Sequence, residues 1–306
     1  MTNKSITKRE NRLSYLKRDI RLKRRSSRKD NLSLTGFTKM HGLGNDYLVL
    51  DGIHQKVHLT PAQIHKLCDR HFGIGADGII LILPVHKFKS SRVHKSVVPD
   101  FRMQIFNADG SEAEMCGNGI RCLAKFVYDH GLTKKKALNI ETLSGIKLLH
   151  LSVTKGRVDK VRVGIGQPVE ISNDGVDVVD EEFAATRVNI GNPHCVIFTR
   201  KVDKLPIERY GSEVECNSKF PNRTNVEFVE IIDKSNIKQR TWERGVGETL
   251  ACGTGAAAAV AAGVYNKLLK RNVTVHLKGG TLEVEYALVG DIYITGPAEE
   301  VFSGVI

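Results

Sequence analysis

Short apolar runs bounded by glycine, proline or asparagine recur along the chain from Phe37 onward. Runs of this length that are rich in valine and isoleucine predict β-strands. We predict strands within 47–50, 79–83, 101–106, 140–153 and 161–164, and again within 188–190, 196–198, 226–232, 273–286 and 292–296. The residues before 35 are polar and basic, so the strand-rich region is expected to begin near Phe37.

Three stretches carry helical signals instead. Thr60 is a suitable N-cap and Pro61 a suitable first residue for a helix over 60–70. The other two helices follow cysteine–glycine segments, one ending at about 130 and one spanning 256–265. Each half of the chain is therefore strand-rich with one central helix preceded by a cysteine, which is an α+β arrangement.

Length and composition allow two domains. The chain has 306 residues, of which 41% are hydrophobic, enough for a core in each of two domains of about 130 residues. We predict a basic and mostly disordered extension over 1–35, an N-terminal half-domain over 36–162 and a C-terminal half-domain over 163–306. The last strand is a candidate to return and complete the first half-domain.

The net charge of +12 is concentrated in the extension. Residues 1–34 hold 12 lysines and arginines against three acidic residues. Such a segment could touch nucleic acid or an anionic surface, or form a basic amphipathic helix. We interpret it as a solvated tail that catalysis does not need, with at most weak binding to nucleic acid.

Other features indicate a protein of the reducing cytoplasm. No run of about 18 apolar residues predicts a membrane span, and the basic start lacks the apolar part of a secretory signal. Six cysteines in a chain of this length are typical of free thiols, and none has zinc-site spacing. We expect no metal and no cofactor. Four cysteines are interpreted as buried small residues: Cys68, Cys122, Cys195 and Cys216.

The other two cysteines begin segments of similar composition, Cys116-Gly117-Asn118-Gly119 and Cys252-Gly253-Thr254-Gly255. At a helix start, free backbone N–H groups and the helix dipole stabilise negative charge. That environment favours a reactive thiol and can also bind a carboxylate. Two such segments in related halves predict one site with a thiol on each side.

The ordered motifs resemble the diaminopimelate epimerase family. They are Met40-His41-Gly42-Leu43-Gly44-Asn45-Asp46, Phe106-Asn107-Ala108-Asp109-Gly110-Ser111, Met115-Cys116-Gly117-Asn118-Gly119, Gly191-Asn192-Pro193-His194-Cys195, Asn222-Arg223-Thr224-Asn225 and Trp242-Glu243-Arg244-Gly245. The resemblance implies two pseudo-symmetric domains, each a sheet wrapped around a central helix, with the active site in the cleft. It also implies cofactor-independent interconversion of LL- and meso-diaminopimelate, a step toward lysine and peptidoglycan. We further expect a homodimer.

By position, the resemblance makes Cys116 and Cys252 the acid–base pair, one as thiolate and one as thiol. It places His194 near the first thiol, and Glu243 near the α-amine and the second thiol. Backbone amides at the two helix starts are expected to bind the reacting carboxylate, namely those of Gly117, Asn118, Gly253 and Thr254.

By the same positional match, the resemblance implies that four polar side chains recognise the far end of the substrate: Asn107, Asn192, Asn225 and Arg244. Of these, Arg244 suits a bidentate carboxylate contact. Asn45 corresponds to a contact near the reacting amine. One position departs from the pattern, because Gly78 stands where some members have glutamine. A backbone group or water would have to replace that contact.

Other functions stay open on the residues alone. Proline and hydroxyproline racemases share the paired thiols but usually have histidine where this chain has Asn118. Phenazine-type isomerases lack the thiol pair. No residue supports a pyridoxal phosphate racemase, and no basic stripe with interleaved aromatics beyond Thr35 supports a nucleic-acid-binding protein.

Overall fold

The structure, a computed structural model, describes residues 35–85, 97–178 and 181–306. The predicted basic extension lies, apart from residue 35, outside the described residues, so its interpretation stays a prediction. Residues Gly36–Gly304 form one compact unit, and both predicted halves belong to it.

The described residues form 18 strands and four α-helices. The strands are β1 (Gly36–Gly42), β2 (Asn45–Asp51), β3 (Gly78–Leu83), β4 (Phe101–Asn107), β5 (Glu112–Ala113), β6 (Ala137–Thr142), β7 (Gly145–Thr154), β8 (Arg157–Gly166), β9 (Glu170–Val178), β10 (Glu181–Asn189), β11 (Pro193–Thr199), β12 (Asn225–Asp233), β13 (Asn236–Glu243), β14 (Gly247–Thr249), β15 (Asn272–Leu277), β16 (Gly280–Tyr286), β17 (Ile292–Gly296) and β18 (Glu299–Val305). The helices are α1 (Pro61–Cys68), α2 (Gly117–Asp129), α3 (Ile207–Glu215) and α4 (Gly253–Tyr265).

The order and pairing of these elements repeat. In the first half, β1–β2 is antiparallel, β2–β3 parallel, β3–β4 antiparallel and β4–β6 parallel. The pairs β10–β11, β11–β12, β12–β13 and β13–β15 follow the same directions in the second half. In both halves a helix follows a short strand, α2 after β5 and α4 after β14. This repeat is the pseudo-symmetry that the sequence predicted.

Two strand pairings join the halves. β8 pairs antiparallel with β17, and β18 pairs with β1. The hydroxyl groups of Thr38 in β1 and Ser303 in β18 are 2.9 Å apart. The predicted boundary between residues 162 and 163 falls within β8, so the two half-domains share backbone hydrogen bonds there.

The helices α2 and α4 lie at the centres of their halves. α2 packs against strands β1 to β4, β7 and β8, and α4 against β9 to β12, β16 and β17. Every side chain from Ala256 to Ala262 is fully buried. A helix that is apolar on all sides must be surrounded by protein, and its small side chains let the strands approach closely. The N-terminus of such a helix therefore opens inside the molecule.

Local signals predicted the helix ends well. Thr60 caps α1 through a reciprocal pair of bonds, with Gln63 N donating to Thr60 Oγ1 at 3.3 Å and Thr60 N donating to Gln63 Oε1 at 2.9 Å. Pro61 is the first residue of that helix, as predicted. After α2, Gly131 has a φ of +79°, the left-handed conformation for which glycine is suited at a helix end.

One expectation was wrong, and one helix was not predicted. Cys216 was interpreted as buried, but it is exposed because it follows the last residue of α3. The helix α3 itself was not predicted, since Gly211 lowers its intrinsic propensity. Packing explains the helix instead, because a Cβ on Gly211 would lie 2.6 Å from the Trp242 Cγ. The other three cysteines outside the two glycine segments are buried as predicted: Cys68, Cys122 and Cys195.

Candidate active site

The starts of α2 and α4 meet at two glycines. A Cβ placed on Gly117 would lie 3.9 Å from the Gly253 Cα, and one placed on Gly253 would lie 3.8 Å from the Gly117 Cα. The Ile294 Cδ1 is 3.2 Å and 3.0 Å from these two positions, so larger side chains would press on it. The preceding residues, Cys116 and Cys252, are the N-caps of the two helices. The fold thus carries both thiols to one junction.

This junction also gathers backbone donors. The first N–H groups of a helix have no carbonyl partner within it, and the dipole is positive at this end. Gly117 and Asn118 begin α2, while Gly253 and Thr254 begin α4. Two helix starts in contact can hold a carboxylate from two directions.

The Asn118 side chain ties the two cysteine segments together. Its Nδ2 donates to the carbonyl oxygen of Ala251, the residue before Cys252, at 2.9 Å. Its Oδ1 accepts from Arg121 Nη2 at 3.0 Å. Arg121 is fully buried, and its Nε donates to the Pro297 carbonyl oxygen at 3.1 Å. These bonds hold the start of α2 against the second half.

The sulfur of Cys116 lies among polar groups of β2. The Tyr47 hydroxyl donates to Cys116 Sγ at 3.0 Å. The same sulfur is 3.4 Å from Asn45 Oδ1, which accepts its proton when it is a thiol. Cys116 is partly buried, whereas Cys252 is buried.

The sulfur of Cys252 has a different environment. It accepts from Gly255 N at 3.3 Å and lies 3.5 Å from Thr254 Oγ1. Burial raises the pKa of the Cys252 thiol well above its usual value, and the negative charges of Glu243 and Glu227 raise it further. Cys252 is therefore held as a thiol at neutral pH, which is the acid form that a two-base reaction needs on one face.

Glu243 ends strand β13 beside this second thiol. Its Oε1 accepts from the Thr249 hydroxyl at 2.6 Å. Burial raises the pKa of Glu243, although the hydrogen bond from Thr249 works in the opposite direction. A carboxyl group with a raised pKa can exchange protons closer to neutral pH.

His194 belongs to a buried network on β11 and β12. Its Nδ1 is 2.9 Å from Glu227 Oε1, and its Nε2 is 3.0 Å from Asn192 Oδ1. Asn192 Nδ2 donates in turn to Thr254 Oγ1 at 3.4 Å. The side chains of His194 and Glu227 are completely buried. Through Asn192 and Thr254 the network reaches the start of α4, the side of the second thiol. The resemblance implied a place for His194 near the first thiol, which stays a prediction.

Asn45 is oriented by an ionic cluster. Its Nδ2 donates to Asp77 Oδ2 at 2.9 Å, which leaves its Oδ1 facing Cys116. Arg70 Nη2 bridges Asp46 and Asp77 at 2.7 Å each. Although burial opposes it, hydrogen bonding by Arg70 and other neighbours lowers the pKa of Asp46 to about 2. Asp46 is therefore ionised at neutral pH, and its contacts with Arg70 hold the start of β2 in place.

Arg244 and Asn225 lie together at the start of β12 and the end of β13. Asn225 Oδ1 accepts from the Arg244 backbone N–H at 3.0 Å, and Asn225 Nδ2 donates to the Pro193 carbonyl oxygen at 3.0 Å. The Arg244 side chain is exposed, and its Nη1 donates to the Asn222 carbonyl oxygen at 3.2 Å. Asn225 thus holds the backbone of Arg244 in place, while the guanidinium group is at the surface.

Asn107 and Gly78 are paired across β3 and β4. Asn107 Nδ2 donates to Ser111 Oγ at 3.0 Å in the turn that follows. A Cβ on Gly78 would lie 2.2 Å from the Phe106 carbonyl oxygen and 3.2 Å from Tyr47 Cε1. A glutamine side chain therefore has no room at residue 78 in this chain.

The repeated strand order of the two halves and the ordered sequence motifs agree with the comparison to known families. The family model described as diaminopimelate epimerase matches residues 37–171 and 186–301. The chain belongs to the diaminopimelate epimerase family. Its match covers most of both halves, including both thiol segments.

Individual relatives share this description. A protein named diaminopimelate epimerase from Methanococcus maripaludis is 49% identical, with the alignment covering 88% of this chain and 99% of that protein. One of the same name from Pelotomaculum thermopropionicum is 47% identical over 88% of this chain and 97% of its own. A third, from Leptospira biflexa, is 45% identical over 88% and 98%.

Solved structures confirm the predicted fold class. A hydroxyproline epimerase from Agrobacterium vitis has a TM-score of 0.64 at 16% identity, covering 91% of this chain and 94% of its own. A phenazine biosynthesis protein from Bacillus anthracis has a TM-score of 0.65 at 18% identity, covering 90% and 99%. At these identities the likeness concerns the fold alone, which is that of the epimerase family.

Three residues near the epimerase site were not singled out from the sequence. They are Tyr47 beside the first thiol, Glu227 beside His194, and Arg121, which donates to Gly117 and Asn118 at the start of α2. The sequence could have indicated two of them, because Glu227 and Arg121 are charged residues within apolar runs. A charge buried in such a run needs specific hydrogen-bonding or ionic partners. Tyr47 gave no such signal, since an aromatic residue is ordinary in a strand.

Two further findings apply to the described part of the chain. It contains no group of three or more His, Cys, Asp or Glu side chains that could hold a metal ion. None of its helices has both the length and the apolar character needed to cross a membrane.

The raised pKa of Cys252 leads to a prediction about stability. A thiol whose folded-state pKa exceeds the unfolded value of 9.0 stabilises the fold below that pH and loses this contribution as pH rises. We expect the free energy of unfolding to fall between pH 9 and pH 10, by up to about 1 kcal/mol from this thiol. Urea unfolding at both values should show a smaller fall in Cys252→Ala, whereas Cys216→Ala, at an exposed site, should behave like the parent. An equal fall in all three proteins would contradict the assignment.

Proposed function

We propose that this protein is a cofactor-independent, two-base epimerase that interconverts LL- and meso-diaminopimelate, a step toward lysine and peptidoglycan. The observation that carries the proposal is the junction of α2 and α4, where two helices in contact are each capped by a cysteine. The relatives that bear this name share nearly half of their residues with the chain over almost their whole length. The name belongs to those relatives, and the contact between the two cysteine-capped helices supports the same chemistry in this chain.

The reaction needs two proton carriers on opposite faces of the α-carbon. One cysteine, as thiolate, takes the α-proton, and the electron pair of the broken C–H bond moves onto the carboxylate. The other cysteine, as thiol, then donates its proton to the opposite face. The product has inverted configuration, and the two cysteines have exchanged protonation states, so the reverse reaction uses the same groups.

The helix starts stabilise the intermediate. Negative charge builds up on the α-carboxylate once the proton has left, and the N–H groups that begin α2 and α4 can donate to it. Those donors are fixed before the substrate arrives, because both helices are packed inside their sheets. In this proposal Glu243 receives the α-ammonium group, whose positive charge complements a carboxylate beside the second thiol.

In this proposal, the polar side chains around the cleft discriminate between diaminopimelate isomers. Diaminopimelate carries a second amino-acid group, and a site with fixed donors and acceptors penalises an isomer that leaves them unpaired. Asn192 and Asn225 are held by side-chain hydrogen bonds, and Arg244 offers an exposed guanidinium beside Asn225. We assign these three residues, with Asn107, to the far end of the substrate, and Asn45 to the reacting amine.

Compartment and assembly belong to the proposal as well. None of the six cysteines, all of them within the described residues, forms a disulfide, and a mechanism that cycles a thiol and a thiolate requires Cys116 and Cys252 to stay reduced. We therefore propose that the enzyme works in the cytoplasm. The homodimer stays a prediction, to be tested by light scattering of the purified protein.

The deciding experiment is incubation with LL-diaminopimelate in deuterated water. We expect meso product that carries one deuterium at the inverted carbon, because the incoming proton comes from a thiol that exchanges with solvent. Mass spectrometry and a chiral separation measure both properties, and L-proline under the same conditions serves as the control substrate. Inversion of proline without inversion of diaminopimelate would contradict the substrate assignment.

A further inference from the structure

The Tyr47 hydroxyl makes two contacts at the first thiol. It donates to Cys116 Sγ at 3.0 Å and lies 2.8 Å from Asn45 Oδ1. A phenol has one proton, so it can serve one of these acceptors fully at a time. The Cys116 sulfur can in turn donate to Asn45 Oδ1, at 3.4 Å, only while it is a thiol. The three groups therefore form a hydrogen-bond triangle with two arrangements.

The protonation state of the sulfur selects the arrangement. When Cys116 is a thiol, its S–H points to Asn45 Oδ1, and the sulfur needs no donor. When Cys116 is a thiolate, it becomes a strong acceptor, and the hydroxyl of Tyr47 is the donor within reach. Hydrogen bonds to an ionised acceptor are stronger than bonds between neutral groups. The triangle thus offers a hydrogen-bond donor to the charged sulfur.

The fold holds the phenol in place. Tyr47 lies inside β2, pairs with Gly78 across β3 and is 6% exposed. A Cβ at Gly78 would be 3.2 Å from Tyr47 Cε1, so the absence of a side chain there leaves space for the ring. Gly78, the position at which some family members have glutamine, is therefore packed against the residue that reaches the thiol.

We propose that Tyr47 is a positioning residue that orients the Cys116 sulfur and stabilises its thiolate by a hydrogen bond. The inference rests on the proposed two-base function and adds to it a residue that orients one of the two catalytic thiols. The bond involves no transfer of a proton from Tyr47, only rotation of its hydroxyl between Cys116 and Asn45.

Other charged or titratable groups face this triangle. Asp77 approaches from the turn before β3 and binds Asn45, while Arg121 and Cys122 approach from α2. Burial raises the pKa of Tyr47 well above its usual value, and the charge of Cys116 raises it further. The phenol therefore stays protonated and remains a donor at the pH values at which a thiol titrates.

The test is Tyr47→Phe, which keeps the ring and removes the hydroxyl. Alkylation of Cys116 by iodoacetamide, followed by peptide mass spectrometry over a range of pH, reports how readily the thiolate forms. We expect the variant profile to move by about one pH unit to higher pH, and kcat to fall about tenfold with a smaller change in KM. The profile of Cys252 in the same samples should not move.

Tyr128→Phe is the matched control. Tyr128 lies near the end of α2, about 18 Å along the helix from the first thiol, and packs against the core. It should leave both the Cys116 profile and kcat unchanged. If Tyr47→Phe lowers the melting temperature and the activity but leaves the Cys116 profile in place, the role is structural and the inference is overturned.

The two proposals can fail separately. The alkylation profile is measured without substrate, so it tests the Tyr47 contact even if diaminopimelate is not turned over. Failure of the proposed function would appear instead as absence of deuterium and of inversion in the unmodified protein. An unchanged Cys116 profile in Tyr47→Phe overturns the inference whichever substrate the enzyme uses.

Discussion

We expect Cys116→Ala and Cys252→Ala each to reduce epimerisation of diaminopimelate by on the order of 10³-fold or more, because each variant lacks the proposed proton carrier on one face of the α-carbon. We expect both proteins to stay folded. Alanine removes only the sulfur at either position, and both cysteines are N-caps whose backbone conformation alanine can adopt. Measurement of kcat/KM in both directions of the reaction checks the expectation.

The matched control is Cys216→Ala. Cys216 is exposed after α3 and touches neither helix start, so its activity should equal that of the parent protein. Melting curves of all three variants separate loss of chemistry from loss of fold. Near-normal turnover in either Cys116→Ala or Cys252→Ala would remove that cysteine from the mechanism.

The second large effect is expected for Arg244→Lys. A lysine keeps the charge but lacks the planar pair of donors that holds a carboxylate in two bonds. We expect the apparent KM for diaminopimelate to rise by about 10- to 100-fold, with a smaller effect on kcat. Steady-state kinetics with LL-diaminopimelate measures both parameters.

Arg223→Lys is the control for this substitution. Arg223 is also an exposed arginine, but its guanidinium is directed to Glu215, 3.4 Å away. Its KM should stay close to that of the parent. A variant Arg244→Lys that keeps its KM for diaminopimelate and gains activity on proline would show that Arg244 does not bind a carboxylate at the far end of the substrate.

Much of the fold was predictable because its signals are local. The capping box of α1 involves Thr60 and Gln63, which are three residues apart, and both thiol helices begin at residues that the sequence already identifies. The strands within 79–83, 101–106 and 292–296 stand out as apolar runs. The helix α3 was not predictable in this way, because it depends on the packing of Trp242 against Gly211.

The pattern of the site was likewise predictable, but its contacts were not. The glycine-rich segments and the ordered motifs predict Cys116 and Cys252 as the reactive thiols. Nothing in those segments indicates that Cys252 is buried beside Glu243 and Glu227 while Cys116 faces polar groups of β2. The difference arises from strands that approach each helix start from elsewhere in the chain.

The sequence by itself determined which residues could cap a helix, where glycine allows backbone N–H groups to approach a ligand, and to which family the motifs correspond. These properties depend on neighbours a few residues apart, whose geometry the backbone restricts. Only the tertiary structure decided that Gly117 and Gly253 touch, and that the Tyr47 hydroxyl reaches Cys116 across 69 positions of sequence. Such contacts follow from the register of the sheets and the burial of α2 and α4, which many weak interactions determine together.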